Sequence, residues 1–183
     1  KGEEFAISLA GVYQKENAVL ALNALEELDR LGWTTTMEQR KDGLLHTSWK
    51  GRFTVINKKP LFIVDGAHNA GAADKMAESV RHYFNGKKLI YIMGVFADKE
   101  YKIVLEKTAH FAEKIYTIET PDNPRALPAE ELAKAARVYN SSAESTKSIK
   151  DAVEKAFSCA GDDENSVILA FGSLSFIGAL TNA

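Results

Sequence analysis

The chain changes rhythm near residue 50. Before it, Ala18, Ala21, Leu22, Leu25 and Leu28 recur at helical spacing between Glu16 and Leu31, and Gly32 stands where such a helix would end. Residues 1–15 read as a loop or short strand leading into that helix. Residues 33–50 carry no period; Thr34 to Thr36 and the Lys41-Asp-Gly43 turn signal mark a linker or boundary, with Trp33 and Trp49 expected to anchor it against a domain face. Beyond it, Phe53 and Val55 alternate with polar residues, Asn57-Lys-Lys-Pro60 supplies a turn, and Leu61 to Val64 is continuously apolar. That pattern predicts a hairpin feeding a buried strand.

Apolar runs and helical periods then alternate. Strands are predicted at Leu89 to Val95, Ile115 to Ile118, near Ser145, and at Val167 to Phe171. Between them fall helices carrying Met76, Ala77, Val80 and Phe84, then Tyr101, Val104, Leu105 and Thr108, then residues 129–139 with Pro128 at the first turn, and one from Ser148, where Ser148 and Asp151 have capping-box-like spacing. A last turn or helix opens at Gly172-Ser173. Strands apolar along their whole length and alternating with helices imply a mostly parallel sheet covered on both faces. The expected fold is α/β, a Rossmann-like sheet sandwiched by helices over residues 46–183, preceded by a helical segment over 1–45.

Composition narrows the function classes. The 183 residues are 45% hydrophobic and 26% charged, an ordinary globular balance. With 23 Lys+Arg against 25 Asp+Glu the net charge is −2, which argues against a nucleic-acid groove. Cys159 is the single cysteine, so no intramolecular disulfide and no cysteine-based metal cluster can form, and a reducing, cytoplasmic setting is expected. His46, His82 and His110 have no partner at metal-ligand spacing. No apolar run approaches the roughly 18 residues of a membrane helix, and neither a signal peptide nor a membrane partner is expected. The polar opening at Lys1 reads as part of a longer protein.

In open parallel sheets, ligands bind beyond the carboxyl ends of the strands. The segments there are Asp65-Gly-Ala-His-Asn69, Gly94-Val-Phe-Ala-Asp98-Lys99, Thr120-Pro-Asp-Asn-Pro-Arg125 and Gly172-Ser173. Asp65 ends an apolar strand, where a carboxylate suits ribose hydroxyls but also serves as a turn or cap residue. His68 suits a phosphate or an adenine edge, or plain backbone bonding. Asn69 is placed to cap the next helix. Arg52 follows Gly51, where a guanidinium fork suits phosphate oxygens and a solvated edge arginine would look the same. Asn17 suits an adenine edge or local hydrogen bonding. Taken singly, each has a structural explanation as good as the functional one.

Taken in order, they resemble something specific. Gly11-x-Tyr-Gln-x-x-Asn17-Ala, Gly51-Arg52-Phe, Asp65-Gly-Ala-His-Asn69, Asp98-Lys99, Pro124-Arg125-Ala-Leu-Pro128 and Phe171-Gly-Ser173 resemble the C-terminal half of the Mur ligase superfamily, and within it the folylpolyglutamate synthase/dihydrofolate synthase family. The likeness runs from Leu9 to Gly178. It implies that residues 1–45 are the tail of a central ATPase domain plus linker. It implies Asn17 on adenine, Arg52 on ATP phosphate, Asp65 on ribose, and His68 as the site histidine near the reacting centre. Lys99, Arg125 and Ser173 would hold the incoming L-glutamate, with Asp98 either orienting Lys99 or touching ligand.

One departure bounds the claim. The superfamily's P-loop, G-x-x-x-x-G-K-[ST], does not occur here, nor do its magnesium ligands or folate-binding elements. The implied reaction is ATP-driven activation of a folate or dihydropteroate carboxylate to an acyl phosphate, then attack by the glutamate amine. ATP and Mg²⁺ are the implied cofactors, and a P-loop domain the implied partner. The chain by itself is expected to be inactive. The nearest alternative is an amino-acid ligase acting on a UDP-muramoyl peptide, because Asp122-Asn-Pro-Arg125 also resembles a diaminopimelate-reading motif. A dinucleotide-binding oxidoreductase lacks its G-x-G-x-x-G here.

Overall fold

The computed structural model describes residues 3–181. Two helices come first, α1 (Gln14–Arg30) and α2 (Met37–His46). Helix α1 ends as the spacing predicts. Gly32, at φ 94°, turns the chain, and the Gly32 and Trp33 amides donate back to the Asp29 and Leu28 carbonyls at 3.0 Å each.

The segment read as a linker or boundary is not irregular throughout, for Met37–His46 within it form α2. It carries no apolar stripe and buries none of its residues. What holds it is a closed capping box: the Thr36 hydroxyl accepts from the Gln39 amide, and the Gln39 side chain accepts from the Thr36 amide. An ion pair from Arg40 to Asp29 ties it to α1. The tryptophan expectation fails. Trp33 and Trp49 are 75% and 62% exposed, so neither anchors the segment within this chain.

From Thr54 onward the elements run β1 (Thr54–Lys58), β2 (Leu61–Asp65), α3 (Ala70–Phe84), β3 (Lys88–Met93), α4 (Tyr101–Thr108), β4 (Ala112–Thr117), α5 (Ala129–Ala136), β5 (Ala143–Ser145), α6 (Ile149–Ala160), β6 (Ser166–Phe171) and α7 (Leu174–Thr181). The strands order as β1-β2-β6-β3-β4-β5, with β1 antiparallel to β2 and every other pairing parallel. The α/β class and the mostly parallel, helix-covered sheet are therefore as expected.

Strand alternation divides the core in two. Leu89, Tyr91 and Met93 with Val167, Leu169 and Phe171 face α3, α4 and α5, where Met76, Val80, Val104, Leu105 and Leu132 close over them. Ile90, Ile92, Ile168 and Ala170 face α6 and α7, meeting Ala152, Ala156, Phe176 and Ile177. Each large side chain so buried stabilises the fold by about 1.5–3 kcal/mol. Ser148 caps α6 by accepting from the Asp151 amide at 3.1 Å, but the Asp151 carboxylate takes the Lys147 amide, so that cap is one residue wider than a capping box.

Candidate functional site

In-register pairing aligns Asp65, Phe171, Met93, Thr117 and Ser145 along the carboxyl edge of the sheet. The loops that leave this edge can approach because two of their residues lack a Cβ. Gly172 has φ 125°, and a Cβ there would fall on the Gly94 carbonyl oxygen. At Gly94 a Cβ would come 2.5 Å from Ile118 Cδ1. At position 172, where the clash is with backbone and φ is positive, only glycine fits.

Asp65 is buried and its carboxylate is heavily used. Oδ1 accepts from the Ala67 amide at 2.8 Å, and Oδ2 accepts from the Phe53 amide at 2.8 Å and the Tyr13 hydroxyl at 3.2 Å. The turn interpretation of Asp65 is therefore real, whatever else it does. Burial raises its pKa above the ordinary carboxylate value, against the opposing effect of those donors and of Arg52. The same burial, with the Asp65 charge next in weight, pushes the Tyr13 hydroxyl well above its usual range.

Three residues on, His68 Nδ1 lies 2.7 Å from the Gly66 carbonyl. A carbonyl only accepts, so this bond puts the hydrogen on Nδ1 and, in the neutral ring, leaves the lone pair on Nε2. Asn69 caps α3 through the Ala72 amide at 2.9 Å, as its position suggests.

His68, Lys99, Arg125 and Ser173 line one cleft of about 220 Å³, together with Phe96, Leu174 and Ser175. Its wall is built by latching two loops: the Ala97 amide donates to the Arg125 carbonyl at 2.8 Å and the Leu127 amide to the Val95 carbonyl at 3.0 Å. The guanidinium of Arg125 lies 4.9 Å from the Phe96 ring centre and grips Asp98 with Nη2 at 2.5 Å and Nε at 3.3 Å. That pairing holds the Asp98 carboxyl below its ordinary pKa and raises that of Arg125. Asp98 thus pairs with Arg125, where the resemblance implied Lys99 or a ligand. Lys99 makes no ion pair among the described residues. The Ser173 hydroxyl accepts from the Phe176 amide at 3.0 Å, so it caps α7 as well as lining the cleft.

Asn17 and Arg52 do not share that cleft. They line a second cavity of about 530 Å³, with Tyr13, Gln14, Trp49 and several apolar residues of the N-terminal segment. The Asn17 amide donates to Gln14 Oε1 at 2.9 Å, and the Arg52 guanidinium lies 5.5 Å from the Trp49 ring centre. Tyr13 belongs to this cavity and touches Asp65, which links it to the Asp65–Asn69 loop.

Comparison with known proteins identifies the frame. Residues 51–174, more than half of the chain, match the model of the Mur ligase glutamate ligase domain. The chain belongs to this family. Among curated relatives, it is 28% identical over 176 residues to the dihydrofolate synthase/folylpolyglutamate synthase of Bacillus subtilis, covering 96% of this chain and 40% of that protein. The folylpolyglutamate synthase of Lacticaseibacillus casei is 27% identical over 126 residues, covering 68% of this chain and 29% of that one. Among solved structures, the Mycobacterium tuberculosis folylpolyglutamate synthase complexed with ADP and AMPPCP superposes with a TM-score of 0.88 at 26% identity, over 98% of this chain and 42% of that one. The chain thus spans about two fifths of the length of such relatives or less.

Among the described residues, no three or more His, Cys, Asp or Glu side chains gather as a metal-ligand set. None of the described helices is long and apolar enough to cross a membrane. Tyr13, Phe96 and Ser175 were missed from sequence. Tyr13 sits inside the Gly11-x-Tyr-Gln motif and was in plain view, whereas Phe96 and Ser175 become visible only once the loops are closed.

Proposed function

We propose that this chain serves an ATP-dependent ligase that joins L-glutamate to a folate or dihydropteroate carboxylate through an acyl phosphate, gripping the nucleotide and presenting the amino acid. The observation that carries this reading is the gathering of His68, Lys99, Arg125 and Ser173 in one cleft, while Asn17 and Arg52 share another. A dicarboxylic amino acid needs two anion partners and a base near its amine. Lys99 is free of ion pairs among the described residues, and Arg125 is held in place by Asp98 and Phe96. Charge-assisted bonds from these two groups would fix the carboxylates. His68 would accept a proton through Nε2 as the amine attacks the acyl carbon, its ring held by the Gly66 carbonyl. The tetrahedral adduct then expels phosphate.

On the nucleotide side, Asp65 would take the ribose, Arg52 a phosphate and Asn17 the adenine edge. Closing these groups onto a separate P-loop domain would bring the acyl phosphate to the amine. Mg²⁺ would be held mainly by residues of that P-loop domain. Residues 1–45 would belong with that P-loop domain and 46–183 with the amino-acid side. The single cysteine fits a cytoplasmic setting. The reading is tested by ATP turnover of the full-length protein with dihydropteroate and glutamate, against a UDP-muramoyl peptide with a diamino acid. Turnover with the first pair is expected; turnover with the second pair alone would replace the folate reading.

A further inference from the structure

Counting lone pairs on Asp65 exposes a conflict. A carboxylate offers about four acceptor positions, two on each oxygen. Three are filled: Ala67 on Oδ1, and Phe53 and Tyr13 on Oδ2. A ribose diol gripped by both oxygens needs two. The backbone donors cannot withdraw, because Ala67 closes the turn at the strand end and Phe53 is fixed with φ 48° and a buried ring. Tyr13 is the donor that can leave. Its bond is the longest of the three, its side chain enters from the N-terminal segment, and it lines the cavity that also holds Asn17 and Arg52.

We propose that the Tyr13 hydroxyl occupies the ribose position on Asp65 in the nucleotide-free protein and gives it up when nucleotide binds. Tyr13 is then a positioning residue that sets nucleotide affinity by competition. Until nucleotide binds, its bond to Asp65 also links the N-terminal segment to the sheet. This rests on the reading of Asp65 as the ribose ligand.

The test compares ATP with 2′,3′-dideoxyATP by titration calorimetry on the full-length protein, in wild type, Tyr13→Phe and Asp65→Asn. Tyr13→Phe removes only the competing hydroxyl. It is expected to tighten ATP at least about tenfold, the worth of one hydrogen bond to a charged carboxylate, and to leave the dideoxy analogue unchanged, because that ligand never displaces Tyr13. Weaker ATP binding, no change, or an equal gain for both nucleotides overturns the proposal. Asp65→Asn separates the two levels. If wild type prefers ATP and Asp65→Asn loses that preference, the ribose reading stands whatever Tyr13→Phe does. If wild type does not distinguish the nucleotides, the ribose reading fails and takes this proposal with it.

Discussion

Residues 3–50 and the sandwich that follows bury their apolar residues very differently. In the sandwich, β3 and β6 place alternate side chains into two closed cores, and Leu169 and Ile168 have no exposed surface. Helix α1 buries only Gln14 and α2 buries nothing, while Val19, Leu20, Leu31, Trp33 and Trp49 stand largely in solvent. Helix α1 nevertheless carries an apolar period in sequence like those of the sandwich helices. The difference teaches that periodicity reports a face to be covered, not that this chain supplies the cover. It also places the two cavities: the 220 Å³ cleft is walled by the rigid sandwich, and the 530 Å³ cavity lies largely against the less anchored segment.

The sharpest way to break this contrast is at the loop crossing. Gly172→Ala adds a Cβ onto the Gly94 carbonyl at a positive φ, so backbone strain and overpacking together are expected to cost about 4 kcal/mol or prevent folding. Denaturant unfolding measures it, and a cost under 1 kcal/mol would mean the loops move apart freely. Leu169→Ala, in the middle of the first core, is expected to cost about 3 kcal/mol.

Electrostatics should matter less. Glu144 accepts from Lys114 at 2.8 Å and Lys155 at 2.7 Å, and these bonds lower its pKa to about 2. A depressed folded-state pKa means the contribution is present above the ordinary value of 4.5 and is lost as pH falls towards about 2. Because Glu144 is partly exposed, its worth is about 1 kcal/mol or less. Glu144→Gln should flatten the stability–pH curve over that window and leave it unchanged near neutrality in shape. Smallest of all, Leu20→Ala on α1 is expected to shift stability of this chain by under about 0.5 kcal/mol. A loss as large as that at Leu169 would show that the N-terminal helices do close a core here.

How much of this was legible in advance follows from the range of each interaction. The sandwich helices and strands are encoded in local periods, so they were readable to within a few residues. Helix α2 has no apolar period and was missed, although Thr36 followed by Gln39 carried its capping signature. Strand order was not readable, since nothing local says that β6 inserts between β2 and β3. Strand ends point to the segments that hold His68, Lys99, Arg125 and Ser173, and the family resemblance singles out these four residues within them. Their partners were not so legible: Asp98 pairs with Arg125, 27 positions away, and Tyr13 meets Asp65, 52 away. Spacing along the chain does not report contacts of that kind.

The central claim is that the cleft of His68, Lys99, Arg125 and Ser173 receives the amino acid. Steady-state kinetics of Lys99→Met in the full-length protein test it most directly. Loss of one carboxylate partner should raise the KM for L-glutamate at least about tenfold, in keeping with a charge-assisted bond, and leave the KM for ATP unchanged. An unchanged glutamate KM, or equal increases for both substrates, would contradict it.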